Sequence, residues 1–181
     1  SLTLFGCHLK SMHNGKDDGR TATLPLRRAE SRAVARIIKN RFGPDWRAHN
    51  WVVLGDLNGY RNGIGPLGEI IDEGPSGIES LTDNFAVDVM AALPAHERWT
   101  HFRRFWSEER QQLVEIHMPL DHILVSPALA AANPAPKVEI IRRGQPYRVP
   151  LDPLAADRSI ARLSSANDRY PRVGWDRPKA S

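Results

Sequence analysis

Asp56 and Asn58 stand two residues apart just beyond the apolar run Trp51–Leu54, in Val52-Val53-Leu54-Gly55-Asp56-Leu57-Asn58-Gly59. A short unbroken apolar run is the signature of a buried strand. In α/β sheets the carboxyl ends of such strands are where ligands bind. If the strand continues, both polar side chains share one face and Leu57 takes the other, with the two Cα atoms roughly 6.6 Å apart. That spacing lets the pair flank one phosphate. The carboxylate can bind Mg²⁺ or orient a water, and the carboxamide can donate to a non-bridging oxygen. An Asp/Asn turn after a strand is the plainer meaning of the same residues.

His8 lies near the end of the first apolar stretch, in Cys7-His8-Leu9-Lys10-Ser11. An imidazole there can protonate a leaving oxygen or hold a phosphate. A histidine at a strand end more often serves structure. Lys10 shares the face of His8 by alternation and adds positive charge beside it. Asp121 opens the run Leu120–Val125 (LDHILV). If that strand runs antiparallel to Trp51–Leu54, its start lies at the same edge as Asp56, where its carboxylate could orient a catalytic imidazole. His122 then points to the opposite face and reads as structural.

The elements that must position these residues follow from periodicity. Ser1–Leu9 reads as a strand, and the polar, glycine-containing segment Lys10–Leu24 as a loop. Leu26, Ala29, Ala33, Ile37 and Ile38 recur at helical spacing between Arg27, Arg28, Arg32, Arg36 and Lys39, which predicts an amphipathic helix with a basic outer face. Pro25 marks its start and Gly43-Pro44 its stop. A glycine-rich loop is expected over Gly59–Gly68, with short helices near Pro66–Glu73 and Asp83–Leu93. Trp99–Trp106 and Leu113–His117 predict a hairpin around the turn Ser107–Gln111. Leu120–Val125 is another strand, ended by Ser126-Pro127, and Lys137–Ile141 a further candidate. Gly144–Ser181, rich in Pro, Arg and Asp, reads as irregular. Strands alternating with helices, then a hairpin, indicate an α/β domain with a mixed sheet.

The chain's 181 residues amount to one domain. No apolar run approaches the ~20 residues of a membrane helix. The formal charge of +4 and a pI of about 9.6 favour anionic partners, nucleic acid among them, or simply a basic solvated surface. Cys7 is the only cysteine, which excludes an internal disulfide and any multi-cysteine zinc site. A single cysteine is compatible with a reducing compartment such as the cytoplasm without assigning one, and nothing sets the oligomeric state.

HLKS, a basic amphipathic helix, a strand ending in GDLN, the Trp99-Thr100 step and LDHILVSP occur in the order seen in the endonuclease/exonuclease/phosphatase (DNase I-like) family. The chain resembles that family from about Leu2 to Pro127 and again in its tail. The resemblance implies an α/β (α+β) four-layered sandwich, two mixed β-sheets packed face to face with helices outside. It also implies a metal-dependent phosphoester hydrolase, a phosphodiesterase or nuclease first of all, in which Mg²⁺ (or Mn²⁺) polarises the phosphate and water attacks in line. On this mapping His8 matches the histidine that contacts the phosphate or assists the leaving group. Asp56 matches the aspartate that positions or activates the water, and it is the metal-ligand candidate of this chain. Asn58 matches the asparagine that binds a phosphate oxygen, and Asp121 the aspartate that orients a second histidine. Lys10 and Asn58 are the candidate substrate-binding residues.

The family also has an N-terminal strand bearing an Asn, a metal-binding Glu beyond it, and a closing Ser-Asp-His motif. Neither the Glu nor the closing histidine has a counterpart here, Ser181 standing where that motif's serine would be. Residues 1–181 are therefore expected to form a single domain of this type, incomplete at both ends and by itself inactive or nearly so. Two alternatives accompany the nuclease expectation. One is a phosphomonoesterase acting on an inositol phosphate, a lipid headgroup or a nucleotide. The other is a non-catalytic remnant of the fold that binds nucleic acid, for which Trp99, Trp106 and Trp175 are stacking candidates unless they pack internally.

Overall fold

The computed structural model describes residues 1–14, 19–65, 68–107 and 111–141. They form a mixed α/β structure with two four-stranded sheets and a few helices. The tail Gly144–Ser181 lies outside the described residues.

The first sheet has the order β1-β2-β8-β5, made from Thr3–Gly6, Trp51–Asp56, Asp121–Val125 and Val87–Asp88. β1 and β2 are parallel neighbours, which requires a crossover connection, and the 24-residue helix α1 (Gly19–Phe42) supplies it. β8 runs antiparallel to β2, the condition under which its start reaches the edge of Asp56, and pairs Asp121 with Asp56. One face of this sheet packs into the main core, where Trp51, Val53 and Leu124 meet Ala35 and Ile38 of α1, joined by Leu9, Leu57, Ile78, Leu81 and Phe85.

The other face of the same sheet is apolar and open. Its cross-strand rows are Leu4–Val52–Val125–Val87 and then Leu54–Ile123, and Asp56–Asp121 forms the next row. Leu4 is 61% exposed and Ile123 48%. The acidic pair thus stands at the end of an apolar surface.

The second sheet has the order β4-β3-β7-β6, from Ile70–Asp72, Asn62–Ile64, Gln112–Met118 and His101–Ser107. The β6–β7 hairpin is the one expected, closing at Ser107↔Gln112. Every pairing in this sheet is antiparallel, so only the first sheet is mixed. A smaller core of Tyr60, Ile116 and Met118, with Met12 and Leu120, lies beneath it.

Several local expectations fail. β3 lies inside the segment read as a glycine-rich loop, and β4 occupies part of the stretch read as a helix at Pro66–Glu73. Over Asp83–Leu93 the chain forms β5 and a 3₁₀ turn (Val89–Ala92), while α2 is Glu79–Thr82. These strands are two or three residues long, too short for alternation to show, and exist through pairing with distant partners. Lys137–Ile141 forms no strand. α3 (Pro127–Ala132) follows β8, capped by the Ser126 hydroxyl, which accepts from Leu129 N at 3.3 Å.

α1 departs most from expectation. It starts at Gly19, ahead of Pro25, within the presumed loop. Its buried residues are Gly19, Thr23, Arg27, Ser31, Ala35 and Ile38, while Leu26 and Ile37 of the expected apolar face are more than half exposed. Tertiary hydrogen bonds explain both facts. Thr23 donates to the Gly19 carbonyl at 2.7 Å, and Arg20 donates to the carbonyls of Tyr60, Gly74 and Pro75. Arg27 is fully buried and donates to Ser76 O (3.1 Å), Thr23 Oγ1 (2.6 Å), Arg20 O (3.2 Å) and Lys10 O (3.4 Å). Gly43 ends the helix as expected, at φ +68°. Among the described residues no helix is long and apolar enough to cross a membrane.

Candidate active site

The site begins with a glycine. Gly55 sits at φ +130°, and a Cβ there would lie 2.1 Å from the Cys7 carbonyl oxygen. The missing side chain lets the chain beyond β1 stay against β2, where Cys7 N donates to Leu54 O at 2.9 Å and Leu9 N to Asp56 O at 3.0 Å. Leu9 turns into the core, and His8 is left facing outward beside Asp56. Its Nε2 is 3.8 Å from Asp56 Oδ2. At that distance the two do not hydrogen-bond directly. His8 is largely exposed and Asp56 partly so, and both remain accessible to a ligand.

Gly55→Ala should therefore cost about 2 kcal/mol or more, from backbone strain and the clash with Cys7. Gly6→Ala is the control, because a Cβ there meets nothing within 4 Å. Urea unfolding of the two variants checks this. Equal midpoints would show that Gly55 is not what sets the approach of the two strand ends.

Asn58 does not continue the strand. Its φ is +48°, a left-handed conformation that asparagine tolerates. Its backbone N–H donates to Asp56 Oδ1 at 3.0 Å, and its buried amide donates to Leu9 O at 3.1 Å. The expected alternation of Asp56, Leu57 and Asn58 is thus broken by an Asx-type turn. In this structure Asn58 positions the loop on which His8 and Asp56 face each other. Lys10 is held beside the same strand end by two hydrogen bonds. Its Nζ donates to His13 O at 3.4 Å, and its N–H to Glu30 Oε2 at 2.6 Å.

Asp121 lies across the strand pair from Asp56 and is exposed. Directly opposed side chains of an antiparallel pair share a face, and like charges there repel. A cation would relieve that cost. Among the described residues no imidazole lies against Asp121. Its position is fixed by Thr100, whose hydroxyl accepts from both Leu120 N and Asp121 N at 3.1 Å. Thr100 was not singled out as a positioning residue, although it belongs to the Trp99-Thr100 step that pointed to it. Trp99 is 2% exposed and so not open to a stacking base, while Trp175 lies outside the described residues.

His122 faces the interior, as expected. Its Nδ1 is 2.7 Å from Asp88 Oδ2 and its Nε2 is 2.9 Å from Gly59 O. Burial alone would lower its pKa. The Asp88 carboxylate, by hydrogen bond and charge, and the carbonyls of Gly59 and Pro119 more than offset this and hold it above the ordinary histidine value. Both ring nitrogens face acceptors, so the protonated ring satisfies both. It ties β8 to β5 and to the glycine after Asn58.

A raised folded-state pKa stabilises the protein fully below the unfolded value of about 6.5, and that contribution is lost as pH rises through the folded-state pKa. The urea midpoint should fall as pH rises above about 6.5, and His122→Leu should remove that part of the fall. A wild-type profile that His122→Leu leaves unaltered would refute the assignment.

Among the described residues no group of three or more His, Cys, Asp or Glu side chains gathers to hold a metal. Asp56 and Asp121 offer one or two carboxylates. That suits Mg²⁺, which keeps several waters and commonly takes one or two carboxylates together with substrate phosphate oxygens, but it makes no tight cage. Comparison of the chain with protein-family models, with curated proteins and with solved structures returns no match.

Proposed function

We propose that the protein is a phosphoester hydrolase, a phosphodiesterase or nuclease in first place, whose reaction centre is the His8–Asp56–Asp121 edge. One observation carries this. A histidine and a carboxylate from adjacent parallel strand ends stand 3.8 Å apart and solvent-accessible, with a second carboxylate directly across from the first. Asp56 would accept a proton from, or orient, the attacking water. His8 would bind the phosphoryl group or protonate the leaving oxygen. Asn58 would keep Asp56 in place through its backbone N–H. Mg²⁺, held by Asp56 with help from Asp121, would supply charge neutralisation at the phosphate.

The endonuclease/exonuclease/phosphatase resemblance supports the same assignment, and with it a four-layered sandwich of packed sheets. The open apolar face of Leu4, Leu54 and Ile123 is what a second sheet would cover. The basic charge favours a polyanionic substrate.

The test is a hydrolysis panel on the gene product with and without Mg²⁺: plasmid DNA, single-stranded DNA, RNA, bis(p-nitrophenyl) phosphate and inositol phosphates. Mg²⁺-dependent cleavage of a diester is the expected result. Cleavage of monoesters alone would assign a phosphatase. Binding of nucleic acid without cleavage of any substrate would overturn the enzyme assignment in favour of a binding module.

A further inference from the structure

A cleft opens between α1, Arg61 and residues 75–80, with a volume of about 670 Å³ and none of the candidate catalytic side chains in its wall. Arg28 and Arg32 line it from the helix, Arg61 from the loop after Tyr60, and Pro75, Glu79 and Ser80 from the segment opposite. Three guanidinium groups and one carboxylate give these walls a net charge of +2 (3 − 1).

Part of that charge is already paired, Arg28 with Glu79 and Arg61 with Asp72. Arg28 and Arg32 stand four residues apart on one side of α1, a like-charge spacing that destabilises a helix unless an anion sits between them. Among the described residues Arg32 has no carboxylate partner. Arg28 Nε is 3.8 Å from Glu79 Oε2, beyond a hydrogen bond. Glu79 is not free to move closer, since its Oε1 accepts from Ser76 N (2.7 Å), Ser76 Oγ (3.0 Å) and Gly77 N (3.0 Å). Arg61 reaches Asp72 at 2.9 Å on the exposed rim.

We propose that this cleft binds a small phosphorylated molecule, its phosphate held by Arg28, Arg32 and Arg61 and its organic part lying along Pro75. Guanidinium forks match phosphate oxygens two at a time, which favours phosphate over a simple anion. The cleft volume falls in the range used by organic ligands, more than a bare ion needs. This site does not depend on the hydrolase assignment.

Isothermal titration of the 181-residue chain with AMP, adenosine, inorganic phosphate and sulfate tests it. AMP and phosphate should bind saturably, AMP the tighter, and adenosine should not bind. The double variant Arg28→Gln/Arg32→Gln should weaken AMP at least about tenfold, with a cooperative urea transition showing that it is folded. Arg36→Gln, an exposed arginine of α1 outside the cleft, should leave AMP affinity unaltered. No saturable binding of AMP by the wild type, adenosine binding as tightly as AMP, affinity surviving the double variant, or affinity lost in Arg36→Gln would each overturn the proposal.

Discussion

Asp56→Asn and His8→Ala should each lower kcat of the gene product by ~10²-fold or more while changing KM little. The roles assigned to both groups belong to the transition state. On the proposed mechanism a proton would move to Asp56 only as the water attacks, and charge would build near His8 only as the leaving oxygen departs. Groups that act then lower kcat and kcat/KM together when removed. Asp56→Asn keeps the side chain's size and its Oδ1 acceptor for the Asn58 N–H, now at 3.0 Å, so the turn should survive. His8 is mostly exposed, so its truncation should not unfold the protein. Steady-state kinetics with matched unfolding curves separate chemistry from stability. Unchanged turnover in both variants would remove these residues from the reaction.

Arg27→Ala should destabilise the protein by about 3 kcal/mol or more. The guanidinium is fully buried and satisfies carbonyls from three separate places, Lys10, Arg20 and Ser76. Removing it leaves buried acceptors unpaired and a void against Gly77, whose φ of +88° lets it pack on the Arg27 side chain. Desolvation lowers the pKa of Arg27, with Arg20 acting in the same direction, so the charge is retained at a cost that only its hydrogen bonds offset. Arg36→Ala, on the exposed side of α1, should change stability by less than about 0.5 kcal/mol. Urea denaturation of the pair measures the contrast. Similar midpoints would show that Arg27 is not an anchor.

The contrast between Arg27 and Arg36 also marks what was legible in the sequence. The strand Trp51–Asp56 and the strand Asp121–Val125 were legible because unbroken apolar runs need burial on local grounds alone. Their antiparallel pairing, which the sequence left open, places Asp121 opposite Asp56. The helix stop at Gly43 was legible because backbone conformation there demands glycine. The buried stripe of α1 was not. An arginine is normally read as solvent-facing, and acceptors that include the carbonyl of Ser76, 49 residues away, make its burial tolerable. Asn58 was misplaced for a related reason. Alternation assumes an extended chain, whereas a left-handed residue directs the amide to Leu9. Gly55 was part of a recognised motif, yet its role is visible only once Cys7 lies against it.

Water attack at phosphorus is the centre of the functional proposal, and hydrolysis in H₂¹⁸O tests it most directly. The gene product is incubated with Mg²⁺ and a cleaved diester in labelled water, and the product is followed by ³¹P NMR. The account predicts ¹⁸O in the phosphoryl product and none in the released alcohol, with formation of that product slowed ~10²-fold in Asp56→Asn. Label in the alcohol, or incorporation at an undiminished rate in Asp56→Asn, would contradict it.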